Sequence, residues 1–112
     1  MIFDPLIANP GRLTILTALL SQAQQDFVTL RGNTRLTDGN LTTHARKLAN
    51  AGLVTIEKTA RAGRPVTTIT LTEDGRAAFE RHVNALNDSM RRPALLDTTP
   101  TYGPAAEKAW ID

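Results

Sequence analysis

Between Leu36 and Val54 the chain carries Asn40, Thr42, Thr43, Arg46 and Lys47, interrupted by Leu41, Ala45 and Leu48. The three apolar residues fall at helical spacing, so a helix through them hides one seam and turns amide, hydroxyl and cationic groups outward. Such groups suit the edges and backbone of a nucleic-acid duplex. Asn can pair bidentately with adenine and Arg with guanine, and Lys47 can meet phosphate. Thr37 stands where an N-cap belongs, Asp38 follows in the first turn, and Gly52 stands where the helix should stop. The spacing therefore predicts a helix over about 38–51. The N–H groups at Asp38, Gly39 and Asn40 can hold a phosphate, and Gly39 lets a backbone approach closely. Asp38 opposes that locally, so its carboxylate must be occupied or turned away. His44 has two readings of equal weight: a phosphate contact, or packing beside Leu41 and Leu48. Most helices with a polar outer face simply meet water, so the helix alone decides nothing.

Beyond Gly52 the chain changes period. Val54, Ile56 and Lys58 alternate with Thr55, Glu57 and Thr59, and Val66 to Leu71 is rich in β-branched residues. Between them, residues 60–65 read Ala-Arg-Ala-Gly-Arg-Pro, a hairpin tip bearing Arg61 and Arg64, with Gly63 free to adopt positive φ. Charged tips commonly serve solubility. Directly after this helix, however, the hairpin reads as a wing. From Arg31 to Leu71 there are seven Lys and Arg (31, 35, 46, 47, 58, 61, 64) against two acids (38, 57), in a chain of net charge +2. Clustering of so few charges can arise by chance, but this cluster coincides with the motif and matches what phosphate binding requires.

Upstream, Asn9-Pro10 opens a helix with a buried stripe of Leu13, Leu16, Leu19 and Leu20. Ser21 to Gln25 is a polar connection. Asp26 can cap a short helix over Phe27 to about Asn33, with Phe27 and Leu30 inward, before the chain turns at 33–36 to complete a helix-turn-helix. Downstream, Thr72 caps a last helix running to about Met90, with Phe79, Val83, Leu86 and Met90 as its stripe and His82 beside it. The far half of that stripe, and Ile2, Phe3, Leu6 and Ile7 of the N-terminal arm, have no obvious cover. Two such surfaces point to a homodimer built from arm and last helix; the competing arrangement has them cover each other within one chain.

These pieces together resemble the winged-helix DNA-binding domain of MarR-like and ArsR-like transcription regulators, in their small single-domain branch. The match runs from Asp4-Pro5-Leu6-Ile7 with Arg12-Leu13, through LTDGNL at 36–41, His44 and Leu48, AGLV at 51–54 and Gly63-Arg64-Pro65, to LTEDGR at 71–76, covering about residues 4–88. It implies a mainly α fold with a small β-hairpin (α+β), a winged helix-turn-helix with a long C-terminal dimerisation helix over residues 1–90. It further implies a polar role for His44, a homodimer on an inverted repeat, repression more often than activation, and room for a small-molecule effector of unspecified identity. The resemblance stops before residues 91–112. There Pro93, Pro100 and Pro104 mark an irregular extension, with Trp110 its one large group and expected to dock.

The bulk properties exclude several classes. Aromatics are 4% against 41% hydrophobic residues, so the core must be aliphatic. Absence of cysteine removes disulfides, thiolate metal sites and thiol redox sensing, and suits the cytoplasm. No segment approaches a membrane span and the N-terminus lacks a leader pattern. Two distant histidines make no metal site, no cofactor is implied, and neither a nucleophile elbow nor a phosphate loop is present, so an enzyme fits poorly. Two alternatives survive: a winged-helix protein–protein interaction module, and an architectural DNA binder of low selectivity.

Overall fold

Side-chain caps set where the helices begin. The structure is a computed structural model that describes residues 4–91. Asp4 Oδ1 accepts from Leu6 N–H (2.9 Å) to open α1 (Pro5–Ala8). Asn9 Oδ1 accepts from Gly11 and Arg12 N–H (2.9 and 3.2 Å) to open α2 (Pro10–Ser21). After β1 (Gln24–Asp26), Asp26 Oδ1 accepts from Thr29 N–H (2.7 Å) at the head of α3 (Phe27–Thr34). Thr37 Oγ1 accepts from Asn40 N–H (3.1 Å) at the head of α4 (Asp38–Asn50). The hairpin β2 (Val54–Arg61) and β3 (Arg64–Leu71) leads to α5 (Glu73–Arg91), which Thr72 caps through Gly75 N–H (2.9 Å). Each cap satisfies a donor that the helix cannot, worth roughly 1 kcal/mol.

The sheet is antiparallel in the order β1-β3-β2. The expected polar connection from Ser21 to Gln25 is therefore half wrong, since Gln24–Asp26 form a strand against Thr68 to Thr70. That strand is made by backbone pairing and a buried amide rather than by apolar alternation. Gln25 is 4% exposed; its Nε2 donates to the carbonyls of Ala18 and Gln22 (2.9 Å each) and its Oε1 accepts from Asn33 Nδ2 (2.9 Å). The hairpin strands also reach further than the sequence indicates. Arg61 pairs with Arg64, leaving a two-residue turn of Ala62 (φ 53°) and Gly63 (φ 77°). Two positive φ values are what a tight hairpin of this twist requires, at some steric cost for Ala62.

The core is aliphatic. Ile15, Leu16 and Leu19 of α2, Leu30 of α3, Leu41, Ala45 and Leu48 of α4, and Val54 and Ile69 of the sheet form one cluster, with Phe27 and Phe79 packed on its margin. Ile7 belongs to it too, at 1% exposure, and Leu6 packs against it. Leu6 and Ile7 thus pack onto their own chain, and Ile7 is left without exposed surface. On α5, Leu86 (45%) and Met90 (66%) stay exposed while Val83 and His82 are half-buried. Ile2, Phe3 and the extension beyond Arg91, Trp110 included, lie outside the described residues.

At one corner the fold dictates a glycine. Thr72 Oγ1 donates to Gly52 O (2.7 Å) and Thr72 N–H to Leu53 O (3.0 Å), which draws the head of α5 onto the end of α4. A Cβ on Gly75 would then stand 2.0 Å from Leu53 O. Backbone cannot step aside as a flexible side chain can, so Gly75→Ala should cost about 3 kcal/mol, the upper part of the range for overpacking. Urea unfolding checks this; a loss below about 0.5 kcal/mol would mean that α5 docks differently.

Candidate nucleic-acid interface

Burial of Leu41, Ala45 and Leu48 fixes which side of α4 faces out. Asn40, Thr43, Arg46 and Lys47 are exposed and share that outer side. Asn50 completes it, three residues beyond Lys47 and seven beyond Thr43. Sequence reasoning missed Asn50, although its helical spacing carried the signal. Thr42 and His44 stand on the two shoulders of the helix, both half-buried. Thr42 turns towards the wing, where it lines a cleft of about 300 Å³ with Phe27, Ala45, Arg46, Ile56 and Lys58. That cleft brings Arg46 of the helix and Lys58 of the wing to one place.

His44 turns the other way, onto α2. Its Nδ1 accepts from Arg12 Nη1 (3.2 Å), and the ring lies so close to Gly11 that a Cβ there would be 2.6 Å from Cδ2 and Nε2. The ring is thus half-buried against α2. Burial holds its pKa below the usual imidazole value, and the charges of Arg12 and Lys47 add to the effect.

At the head of α4 both side-chain acceptors are engaged. Thr37 is engaged as cap, and Asp38 Oδ1 accepts from Arg31 Nη1 (2.6 Å), so its carboxylate is occupied by a cation rather than by the helix. A Cβ on Gly39 would meet nothing within 4 Å. The fold itself therefore has no need of a glycine there.

Strand alternation divides the wing. Ile56 and Lys58 face α4, whereas Glu57, Thr59 and Arg61 line a polar hollow with Asp26 and Thr68 on the other face. Arg61 and Arg64 are direct cross-strand partners, a like-charge pairing that costs stability. Asp26 eases it, with its Oδ2 3.7 Å from Arg61 Nη1. Hydrogen bonds from Thr29, backbone first, hold the Asp26 carboxyl below its usual range, and Arg61 adds to that.

Comparisons with known proteins bear on the family and the fold. The family model described as a winged helix DNA-binding domain matches residues 12–90. An uncharacterised protein of Methanocaldococcus jannaschii is 38% identical over 72 residues, which are 64% of this chain and 78% of the relative. The structure of a transcriptional regulator homologue from Pyrococcus horikoshii superposes with a TM-score of 0.66 at 33% identity, covering 78% of this chain and 89% of that one. At the level of fold alone, a MarR family regulator from Silicibacter pomeroyi gives 0.61 at 17% identity (92% and 72% covered). Bordetella bronchiseptica BpsR, whose DNA binding is regulated by 6-hydroxynicotinic acid, gives 0.64 at 24% (98% and 78%). The chain belongs to the winged-helix DNA-binding domain family, and its fold is that of MarR-type transcriptional regulators.

Gly39 offers a test that separates fold from function. Gly39→Ala adds a side chain into open space and improves helix propensity, so the melting temperature should hold or rise. Duplex affinity should fall about tenfold if a phosphate strand packs on that backbone. Equal affinity would remove the helix N-terminus from the interface.

Proposed function

We propose that this chain is a sequence-specific regulator of transcription that binds double-stranded DNA as a homodimer in the cytoplasm, reading an inverted repeat and acting in the repressing direction. The observation that carries the reading is the single outer face of α4, bearing Asn40, Thr43, Arg46 and Lys47, with Lys58 of the wing brought beside Arg46 at the cleft mouth. In this reading α4 enters the major groove. Asn40 and Arg46 meet base edges, each worth roughly 1–3 kcal/mol of discrimination, and Thr42 and Thr43 contact the groove wall. Phosphate is held by the Thr37 hydroxyl proton and the N–H groups of Asp38 and Gly39, the Asn40 N–H being taken by the cap, by Lys47 and Lys58, and by Arg61 and Arg64 of the wing.

The dimer in this proposal joins two copies through the α5 stripe of exposed Leu86 and Met90 with half-buried Val83, and with His82 and Leu6 at its edge. Leu86 and Met90 are large apolar side chains left in water by the single chain. A two-fold axis there would set half-sites about one helical turn apart. Control by a small molecule is also part of the proposal; a cavity of about 180 Å³ between α1 and α5 offers a place.

The experiment is selection of bound duplexes from fragmented genomic DNA at near-physiological salt, followed by sequencing. An inverted repeat is the expected result. Binding without a shared motif would favour an architectural protein, and absence of binding would favour a protein–protein module. With the selected duplex, replacing both Arg61 and Arg64 by Ala should weaken binding and flatten the log affinity against log salt plot. The slope should change by about 0.9 for each phosphate that the variant no longer neutralises. An unchanged slope would take the wing off the DNA.

A further inference from the structure

The least expected polar group in the core is Arg12, only 9% exposed although it lies on α2 rather than at the outer face. Its guanidinium reaches three acceptors. Nε donates to Leu6 O (2.5 Å), Nη2 to Pro5 O (3.5 Å) and Nη1 to His44 Nδ1 (3.2 Å). The two carbonyls belong to α1, whose four residues leave carbonyls without helical partners, a place that suits a cation. Arg can only donate, so the His44 Nδ1 lone pair must be free and the ring neutral, with its proton on Nε2. The imidazole is seated on Gly11, where any side chain would collide with it.

We infer that Arg12 and His44 are positioning residues for DNA binding: their hydrogen bond latches α4 to α1, and through α1 to α5, and so sets the angle at which the outer face of α4 meets the duplex. The inference rests on the DNA-binding reading above. Its path is continuous. Ile7 of α1 lies beside Ala78 and His82 of α5, Leu6 of the same turn accepts from Arg12, and Arg12 donates to the helix that carries Asn40 and Arg46. A recognition helix tolerates little misplacement, because bidentate contacts to base edges fail with shifts of order 1 Å. The latch is also unforgiving of charge. The charged groups facing His44 are Arg12 from α2 and Lys47 from its own helix, both cations. Protonation of His44 removes the acceptor and adds a third positive charge.

This makes the sign of a pH dependence diagnostic. Because the folded-state pKa is depressed, the latch is complete above the ordinary imidazole value and is lost as pH falls through the folded one. A histidine that touched phosphate would do the opposite and tighten binding on protonation. The experiment measures affinity for the selected duplex from about pH 7.5 to about pH 5 at constant salt, with melting temperatures of every variant at each pH. The wild-type chain should weaken, approaching about tenfold per pH unit once below the His44 pKa. His44→Asn, which keeps an acceptor oxygen near the Nδ1 position and cannot titrate, should bind within about threefold of wild type at the upper pH and remain flat. Gly11→Ala should lose affinity about tenfold throughout, with the salt slope unchanged because the same phosphates stay neutralised. Arg12→Lys, which keeps the charge but gathers its donors on one nitrogen that cannot reach all three acceptors, should fall between.

Tighter wild-type binding on acidification, abolished in His44→Asn, would make His44 a phosphate contact and overturn the latch. Identical pH profiles for wild type and His44→Asn, or an affinity loss in Gly11→Ala that only tracks its melting temperature, would overturn it as well. If the wild-type chain binds no duplex at any pH, the DNA-binding reading itself fails, a result distinct from either of these.

Discussion

The proposed interface depends on one constraint: α4 must be buried on one side for its polar groups to stand together on the other. Leu41, Ala45 and Leu48 are essentially without solvent exposure. Burying such side chains stabilises by roughly 1.5–3 kcal/mol for each leucine. That burial orients Asn40, Thr43, Arg46, Lys47 and Asn50 as a group, because rotating the helix to hide any of them would expose the seam. In the proposed function, recognition is therefore a by-product of core packing. The polar groups need no network of their own to hold them outward.

The wing depends on a second periodicity. With side chains alternating across the sheet, Lys58 faces α4 and the cleft, while Arg61 falls on the far face beside Asp26. Two cations three residues apart thus serve different directions, one towards the helix and one towards the tip. The register that does this is pinned by the Ala62-Gly63 turn. A one-residue slip would exchange the faces and bury Glu57 where Ile56 now packs.

Much of this was legible in the sequence, and the parts that were not share a cause. The seam of α4, the caps at Asn9, Asp26, Thr37 and Thr72, and the hairpin follow from local rules, because each depends on residues within one turn or one strand. The β1 strand was invisible because Gln24-Gln25-Asp26 has no apolar alternation; its pairing is supplied by β3, over forty residues away. Arg12 and His44 stood in the sequence as separate motif residues, and nothing local said that they would meet across 32 positions. Ile7 read as uncovered because its cover comes from α2 and α5, which only the tertiary fold brings to it. Long-range polar contacts are the least predictable class, since any donor suits any acceptor until geometry chooses.

The disposition of the cations carries one more step. Of the positive residues clustered between Arg31 and Leu71, Arg31 and Arg61 each have a carboxylate partner, Asp38 and Asp26. Both arginines are substantially exposed, at 42% and 72% of the side chain, so each pair contributes at most about 1 kcal/mol and is readily exchanged. Neither pair therefore holds its arginine firmly. Arg12 is the contrasting case. Buried and bonded three ways, it cannot be released without leaving carbonyls and an imidazole unpartnered, a penalty of roughly 1–3 kcal/mol for each group stranded. These three arginines thus differ by burial: Arg31 and Arg61 sit in exposed, weakly held ion pairs, and Arg12 is committed to architecture. On the proposed function, an interface built this way would engage DNA without disturbing the frame beneath it.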